Sequence, residues 1–263
     1  MLKDLLFTII TVSYNSSKTI EKTIQSVLDQ TYNNYEYIII DGNSTDGTIN
    51  MIRKYEPLFN GKMRWISESD NGIYNAMNKG IKMAKGHFVG LVNSDDWLEK
   101  NALKILANRI ATLKDINMTL LCGWMNFHYL DGTVQLLTTD SRRFNNHIKN
   151  YKIGIRHPAT FVSIDTYYTI GFFDEVLKIA ADFDFVIRCY RNRCKFIFID
   201  EVITNMSDGG VSNKTLSQSK MDCKYVLQKH TTNKFEFWYH YTYWLVVRNV
   251  KKITPLTILK KIR

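Results

Sequence analysis

Four short apolar runs in the first hundred residues have the length and the β-branched or aromatic content of buried strands. Between them, apolar side chains recur every three or four residues, which is the spacing of one face of a helix. Because parallel strands need a crossover, this alternation predicts a parallel sheet of α/β class. The runs are Leu5–Ser13, Tyr35–Asp41, Met63–Ser67 and Phe88–Val92, and the helical patterns are Ile20–Leu28, Ile49–Tyr55 and Ile73–Ala84.

Polar residues follow three of these runs, at Ser13–Asn15, Asp41 and Asn93–Asp96. The carboxyl ends of parallel strands share one edge, where open α/β sheets bind ligands, so we expect these residues to line one crevice. Asp95 and Asp96 repel each other, and their hard oxygens suit Mg²⁺ or Mn²⁺ carrying a diphosphate. The alternative is that one of them is the N-cap of a helix starting near Leu98. An N-cap is also expected at Ser16 or Ser17.

The second half of the chain is patterned less regularly. We expect a hairpin turn at Asp131-Gly132, and a glycine-bearing loop at Met206–Ser212 of a kind that closes over ligands. Helices are expected at Ala102–Ile110 and from Ala180 through Tyr190, and strands near Met118–Trp124, Ala159–Ser163 and Lys195–Asp200.

Composition narrows the function classes. The chain is 45% hydrophobic with a net charge of +10, which fits a folded protein that meets polyanions, anionic lipid or phosphate-bearing substrates. Its four cysteines lack C-x-x-C spacing, and no run of about eighteen apolar residues occurs, so we expect reduced thiols in a cytoplasmic protein without a spanning helix. Neither G-x-G-x-x-G nor a P-loop is present, which disfavours hydride transfer and P-loop hydrolysis.

Four motifs occur in order and together resemble the family 2 glycosyltransferases of GT-A fold. They are Val12-Ser-Tyr-Asn15, Asp41-Gly-Asn-Ser-Thr-Asp-Gly-Thr48, Asp70-Asn-Gly-Ile-Tyr-Asn-Ala-Met-Asn-Lys-Gly80 and Asn93-Ser-Asp-Asp96, with Ala181-Asp-Phe-Asp184 downstream. The resemblance covers about Phe7 to Ser212. It implies a Rossmann-like, mostly parallel sheet, a nucleotide-sugar donor, Mn²⁺ or Mg²⁺, and inversion at the anomeric carbon.

The resemblance also implies roles for individual residues. Asp41 looks like the acid that recognises the nucleobase, and Asp95 looks like the metal ligand, with Asp96 assisting. Asp182 looks like the general base that takes the acceptor's proton. Asp184 and His157 are further candidates for a catalytic or supporting role. The nucleotide-binding set implied in this way is Thr11, Ser13, Asn15, Asp41, Asp70, Gly72, Asn78, Ser94 and Asp95.

This sequence departs from the family pattern at three positions. Asn93 stands where the metal motif has its first acid, Gly42 where the family has a second acid after the strand, and Ala181 where a glutamate often precedes the base. A neutral amide is a poorer metal ligand than a carboxylate, so Asp95 should dominate coordination. The choice between Asp182 and Asp184 as the base stays open.

The chemistry asks for these residue types independently of the family. A sugar leaving a nucleoside diphosphate passes through an oxocarbenium-like state, so a divalent ion must neutralise the diphosphate while a carboxylate takes the acceptor's proton from the opposite face. Structural alternatives remain: an N-cap for Asp182, an i,i+4 pair of Asp184 with Arg188, and a packed loop histidine for His157. Lys79 and Lys85 either contact phosphate or are solvated.

The carboxyl-terminal tail combines aromatic and basic residues. From Phe235 to Val247 seven of thirteen residues are aromatic, and no acid follows Glu236, while six cations do: Arg248, Lys251, Lys252, Lys260, Lys261 and Arg263. Aromatic side chains suit headgroup depth, and each cation near an anionic leaflet contributes on the order of 1 kcal/mol. The tail is therefore either a peripheral membrane anchor or a helix packed on the core, and both can hold together.

We therefore expect a GT-A domain at 1–215, with a nucleotide-sugar half at 1–99 and an acceptor half at 100–215, and a helical tail at 216–263 that can associate with a membrane. The expected activity is metal-dependent transfer of one sugar, from a UDP-sugar in preference, to a saccharide or lipid-linked saccharide in surface polysaccharide biosynthesis. The place would be the cytoplasm or the cytoplasmic face of the inner membrane. The rivals are a metal-dependent nucleotidyltransferase and a basic nucleic-acid binder; acids in the crevice disfavour a nucleic-acid partner.

Overall fold

A nine-stranded sheet runs through the computed structural model, which describes residues 5–209 and 216–253. Its first four strands are parallel and lie in the order β3-β2-β1-β4, so the strand order reverses at β1. Such a reversal places a crevice outside the carboxyl ends of the strands. The elements are β1 (Phe7–Ser13), α1 (Ile20–Leu28), β2 (Tyr35–Asp41), α2 (Thr48–Tyr55), β3 (Met63–Ser67), α3 (Ile73–Met83) and β4 (Phe88–Leu91).

Helices cover both faces of this half, so β1 and β2 are buried at every position. Alternate residues of β1 therefore enter two different cores. Phe7 and Ile9 pack with α1 and α2, whereas Ile10 and Val12 pack with α3. Near-continuous apolar runs, rather than alternating ones, are what a parallel sheet buried on both faces requires.

The second half completes the sheet with mixed pairing. β8 is antiparallel to β4 and β6, β6 is parallel to β9, and β5 and β7 pair antiparallel with β9 and β6. The predicted α/β class is confirmed. The elements are β5 (Trp97–Leu98), α4 (Ala102–Ile110), β6 (Thr119–His128), β7 (Val134–Leu137), α5 (Ser141–Ile148), β8 (Thr160–Ser163), α6 (Ile164–Ile170), α7 (Ala181–Arg191) and β9 (Lys195–Ser207), with 3₁₀ turns at Glu56–Phe59 and His157–Ala159.

Two helices follow, α8 (Leu216–His230) and α9 (Lys234–Ile253). Val226 of α8 enters the core that holds α3 and α7, and Phe237 of α9 packs with Cys223 and Leu227. The tail is helical, as predicted, and its inner side packs on the body of the protein. Within the described residues, no helix is both long and apolar enough to cross a bilayer.

Several sequence-based expectations need correction. The first helix begins at Ile20 with Thr19 as its N-cap residue, not with Ser16 or Ser17. An N-cap role for Asp95 or Asp96 is wrong, because Trp97–Leu98 is a strand that pairs with β9.

Three elements were missed or shortened. α5 was missed because only Phe144 and Ile148 of its eight residues are buried, and α6 was also missed. β9 was predicted too short, because it continues to Ser207. It therefore includes the first two residues of the loop that was expected at Met206–Ser212. Residues 210–212 of that loop lie outside the described residues. The Asp131-Gly132 hairpin turn and the four free thiols are confirmed.

Candidate active site

A buried carboxylate ties three strand ends together. Asp41, the last residue of β2, is 0% exposed. Its Oδ1 accepts hydrogen bonds from Ser13 Oγ (2.9 Å) and Ser44 Oγ (2.6 Å), and its Oδ2 accepts from Ser44 N (2.8 Å) and Ser67 Oγ (2.8 Å). The partners come from the ends of β1 and β3 and from the loop after β2. All four lone-pair sites of the carboxylate are used within the protein, so Asp41 orders the loops at this edge of the sheet. Its expected recognition of a nucleobase stays a prediction.

The segment after β1 is bonded to the loop after β2. Asn15 adopts a left-handed backbone (φ 49°), its N–H donates to Ser44 Oγ (2.8 Å), and its Oδ1 accepts from Thr45 N (3.0 Å). Asp46 accepts a further hydrogen bond from Ser17 N (3.0 Å). These bonds hold the two loops in one arrangement at the edge of the sheet.

The loop after β4 joins the same edge. Ser94 Oγ lies 2.8 Å from Ser16 Oγ, and the Ser94 side chain is nearly buried. The three strand ends that the sequence predicted to converge therefore do meet in the structure.

Asp96 links this edge to the second half of the sheet. Its carboxylate is 1% exposed and accepts hydrogen bonds from Ser207 N (3.1 Å) at the end of β9 and from Asn93 Nδ2 (3.2 Å). Burial and the neighbouring charge of Asp95 raise the pKa of Asp96 to about 7, against the opposing effect of those two donors. Asp96 thus serves mainly to join β9 to the motif, whereas Asp95 is only partly buried.

One oxygen atom of the motif has the chemistry of a cation ligand. Asn93 Oδ1 is buried and has no hydrogen-bond partner, although Asn93 Nδ2 is bonded to Asp96. Buried polar atoms are rarely left without partners, and an amide oxygen is a suitable ligand for Mg²⁺ or Mn²⁺. Among the described residues, no group of three His, Cys, Asp or Glu side chains could hold a metal ion. Asn93 and Asp95 therefore fit an ion that takes further oxygens from a bound diphosphate.

Gly42 leaves room for the carboxylate of Asp70. A Cβ atom at position 42 would lie 2.8 Å from Asp70 Oδ2 and 3.3 Å from a ring carbon of Tyr14. The other oxygen, Asp70 Oδ1, accepts a hydrogen bond from Gly72 N (2.8 Å), and Gly72 has a φ of 117° at the start of α3. Asp70 therefore lies beside the position where the second acid was expected and Gly42 stands.

Asp182 lies in the first turn of α7 and contacts Tyr74, which belongs to α3 in the first half of the chain. The Tyr74 hydroxyl donates to Ile179 O (2.7 Å) and is 3.4 Å from Asp182 Oδ1. Burial and the charge of Asp182 raise the pKa of Tyr74, so the phenol keeps its proton. In the same region, Lys178 Nζ reaches Asn71 O (3.3 Å) in the loop that carries Asp70. The two halves of the chain therefore bring Asp182 alongside the loop after β3.

Asp184 lies in a buried ionic cluster. It is 0% exposed, and its carboxylate contacts Arg188 Nε (2.7 Å), Lys229 Nζ (3.0 Å) and His230 Nε2 (2.8 Å). Burial alone would raise the pKa of Asp184, but these partners hold it below the usual range. The expected pair with Arg188 is confirmed, and the cluster fixes α8 against α7.

His157 lies in the 3₁₀ turn before β8, with its ring 5.7 Å from the ring of Phe173. Burial lowers the pKa of His157, and the charge of Asp182 acts in the opposite direction. The ring is thus packed against its neighbours, as expected if His157 is a packed loop histidine. It also lies close enough to Asp182 for that charge to affect its pKa.

The structure gives partners within the protein to Thr11 and Asn78, which were expected to bind a nucleotide, and to Lys79 and Lys85, for which phosphate contact was one of two alternatives. Thr11 is fully buried under the Tyr37 hydroxyl, and both amide atoms of Asn78 bond the loop before α7. Lys79 Nζ pairs with Glu68 (2.7 Å). Lys85 lies at the amino ends of the strands, where its N–H bonds Glu36. Conversely, a structural role at this site was not predicted for three residues, Ser44, Ser67 and Tyr74. Ser44 and Tyr74 nevertheless lie inside the motifs quoted above.

Comparison with known proteins gives a family. The family described as "Glycosyl transferase family 2" matches residues 8–177. A PGL/p-HBAD biosynthesis glycosyltransferase of Mycobacterium tuberculosis is 27% identical over 214 residues, 79% of each chain. TuaG of Bacillus subtilis, named for teichuronic acid biosynthesis, is 38% identical over 99 residues, 38% of this chain and 39% of that protein.

Solved structures share the fold. Residues 1–349 of S. aureus TarS in complex with UDP-GlcNAc align with a TM-score of 0.67 and 20% identity, covering 89% of this chain and 69% of that one. This chain spans 41% of the longer TarS chain. The mannosyltransferase PcManGT from Pyrobaculum calidifontis, in complex with GDP-Man and Mn²⁺, aligns with a TM-score of 0.61 and 17% identity over 90% of this chain and 68% of that one. The predicted GT-A fold is confirmed.

The hydrogen bonds of Asp41 lead to a first prediction. Asp41→Asn removes the charge and turns an amide toward buried donors, so we expect the free energy of unfolding to fall by about 2–3 kcal/mol in urea titrations. Asp29→Asn, on the exposed end of α1, is the matched control and should change stability by less than about 0.5 kcal/mol. Equal stabilities of the two variants would contradict the role given to Asp41.

Proposed function

Since the chain belongs to glycosyl transferase family 2, we propose that it moves one sugar from a nucleotide-sugar donor to a saccharide acceptor with inversion at the anomeric carbon. The observation that carries the proposal is the arrangement at the carboxyl edge of the sheet. The loops ordered by Asp41 contact the Asn93–Asp96 motif there, and Tyr74, in the first turn of α3, contacts Asp182 from the second half of the chain. An inverting displacement needs the groups that bind the leaving diphosphate and the general base to come from different segments of the chain, and this arrangement meets that need.

We propose a UDP-sugar as the preferred donor. The structures that share this fold include one with UDP-GlcNAc and one with GDP-Man, and the UDP-GlcNAc complex has the higher TM-score of the two. On this chain we assign the contact with the nucleobase to Asp70, because its carboxylate lies against Gly42 at the carboxyl end of β2, whereas the four acceptor sites of Asp41 are used within the protein. A uracil N3–H donates to such an acceptor.

Asp95 and the orphan oxygen of Asn93 would hold Mn²⁺ or Mg²⁺ together with diphosphate oxygens. The ion would neutralise the charge that develops on the departing diphosphate. The protein's own part is to keep these oxygens in place, which Asp96 does by bonding both Asn93 and the end of β9.

Asp182 is the proposed general base. As the acceptor hydroxyl oxygen attacks the anomeric carbon, the bond from that carbon to the diphosphate breaks, and the hydroxyl proton passes to the Asp182 carboxylate. The Tyr74 hydroxyl keeps the carboxylate and the preceding loop in position. Asp184 is assigned only a supporting role, because its carboxylate oxygens already contact Arg188, Lys229 and His230.

His157 is the second supporting residue. Its pKa is lowered, so the ring is neutral at ordinary pH, and we propose that it hydrogen-bonds the acceptor.

We propose a surface polysaccharide intermediate, carried on a lipid, as the acceptor. Support comes from relatives named for PGL/p-HBAD and teichuronic acid biosynthesis and from the outer face of α9. On that face Phe235, Trp238, Tyr239 and Val246 are 82%, 57%, 57% and 60% exposed. Their spacing puts them on one side of the helix, opposite Phe237. We propose that this aromatic face lies on the cytoplasmic leaflet, and that the positive charge of the sequence after Glu236 adds attraction to anionic headgroups. The side chains of the six cations from Arg248 onward lie outside the described residues.

The metal assignment predicts that Asp95→Ala abolishes the gain in UDP affinity that Mn²⁺ gives the wild-type protein, because the ion loses its charged ligand. Isothermal titration with Mn²⁺ and with EDTA measures that gain for both proteins. A variant whose UDP affinity still rises with Mn²⁺ as in the wild type would remove Asp95 from the metal site.

The base assignment predicts that Asp182→Asn lowers turnover by about a hundredfold or more, while UDP binding with Mn²⁺ stays near the wild-type value. The assay is metal-dependent hydrolysis of a donor panel of UDP-GlcNAc, UDP-glucose, UDP-galactose and GDP-mannose. Asp200→Asn, at an exposed position of β9, is the control. If Asp182→Asn turns over like this control, the base lies elsewhere. A panel with no hydrolysis and no nucleotide binding would contradict donor use altogether.

The membrane assignment predicts that Trp238→Ser with Tyr239→Ser weakens binding to phosphatidylglycerol vesicles about tenfold or more and spares UDP binding. Tyr168→Ser, an exposed aromatic on α6, is the matched control. At 1 M salt the Debye length shrinks to about 3 Å, so wild-type binding should also weaken. If the wild-type protein does not bind anionic vesicles, the aromatic face is not a membrane-binding surface.

A further inference from the structure

We infer that Asp222, on the tail helix α8, is a positioning residue for the base Asp182. The inference rests on the proposed function, because it assumes that Asp182 takes the acceptor's proton. It concerns a residue beyond the part of the chain that matches the family, which ends at residue 177. The role would make α8 part of the catalytic scaffold.

The side chain of Asp222 captures the loop that leads into α7. Its Oδ2 accepts hydrogen bonds from three consecutive backbone N–H groups, those of Lys178 (2.9 Å), Ile179 (2.6 Å) and Ala180 (3.2 Å). Three amides that point at one carboxylate oxygen form a concave anion site of the kind made by successive backbone N–H groups. Here the anion is a side chain of the protein itself.

The carboxylate is enclosed. Asp222 is 3% exposed, and its Oδ1 accepts a hydrogen bond from Gln218 Nε2 (2.7 Å) one turn earlier on α8. A buried carboxylate held by neutral donors forms charge-assisted bonds, which are stronger and shorter than neutral ones. Removing the charge should therefore loosen the loop more than removing an ordinary hydrogen bond would.

The opposite side of the same loop is held by the nucleotide half. The Tyr74 hydroxyl donates to Ile179 O (2.7 Å) and also approaches Asp182 Oδ1 (3.4 Å). Asp222 thus bonds the N–H groups of the loop while Tyr74 bonds a carbonyl oxygen. Asp182 follows Ala180 by two residues, so its position is set by both contacts.

The loop needs this support because α7 has no side-chain N-cap; its N-cap residue is Ala180. α8 can supply the support because it is itself fixed on α7. Lys229 and His230 pair with the buried Asp184, and Val226 lies in the core. A carboxylate on a firmly docked helix is a better positioning group than one on a loop.

The test has one arm that does not depend on activity. Hydrogen exchange followed by mass spectrometry should show the amides of Lys178–Ala180 protected in the wild-type protein and exchanging at least about tenfold faster in Asp222→Asn. Lys224→Ala, at an exposed position of the same helix, is the control and should leave exchange unchanged. Unchanged exchange in Asp222→Asn would overturn the inference.

The second arm is a double-mutant cycle on hydrolysis of the best donor in the panel. We expect Asp222→Asn to lower kcat about tenfold to a hundredfold with little change in the donor KM, and Asp222→Glu to restore part of the loss. Combined with Asp182→Asn it should cost nothing more, because both changes act on the same base. Tyr74→Phe, which loosens the loop without touching α8, should also lower kcat and covers the case in which Asp222→Asn fails to fold.

The outcomes separate the positioning role from the proposed function. If Asp182→Asn is slow but Asp222→Asn and Tyr74→Phe turn over like the wild-type protein, the positioning role is wrong and the proposed function stands. The positioning role is also wrong if the losses of Asp222→Asn and Asp182→Asn simply add. If Asp182→Asn keeps wild-type turnover, the proposed base is wrong, and the inference falls with it.

Discussion

A carboxylate buried in a protein must have all its hydrogen bonds made, and Asp41 meets this requirement by drawing three strand ends together. Two of its partners, Ser13 and Ser67, come from other strands, 28 and 26 residues away in sequence, and the third, Ser44, lies three residues further along the chain. Once these bonds form, the loops after β1 and β2 have one arrangement, and the loop after β4 is added through the contact of Ser16 with Ser94. The crevice is therefore shaped by a residue that does not line it.

The second half of the chain is joined to this edge by buried acids used in the same way. Asp96 accepts a bond from the end of β9, and Asp222 holds the loop before α7 while Tyr74 holds it from the other side. Each acid is nearly or fully enclosed and is satisfied by backbone or amide donors. Under the proposed function, metal binding and proton transfer fall to Asp95 and Asp182, which are only partly buried. The enclosed acids would then serve to hold these two carboxylates in place.

Sequence reasoning predicted what local patterns determine. The bounds of β2, β3 and α4 were predicted as observed, because continuous apolar runs and helical spacing depend on neighbouring residues. It could not foresee that Asp41 would be saturated, since that depends on Ser67, a residue of another strand. Nor could it see that Asp70 would fill the space over Gly42 or that Asp222 would reach Lys178–Ala180. These contacts follow from tertiary folding and leave no periodic signal.

The central proposal is that the nucleotide, the metal ion and the general base Asp182 lie together at the carboxyl edge of the sheet. A crystal structure with UDP-GlcNAc and Mn²⁺ tests this most directly. We expect the uracil beside Asp70 and Gly42, the ion on Asp95 and Asn93 Oδ1, and the Asp182 carboxylate on the side of the sugar opposite the diphosphate. A nucleotide bound away from the ends of β1, β2 and β4 would contradict this arrangement. So would an Asp182 carboxylate on the same side of the sugar as the diphosphate.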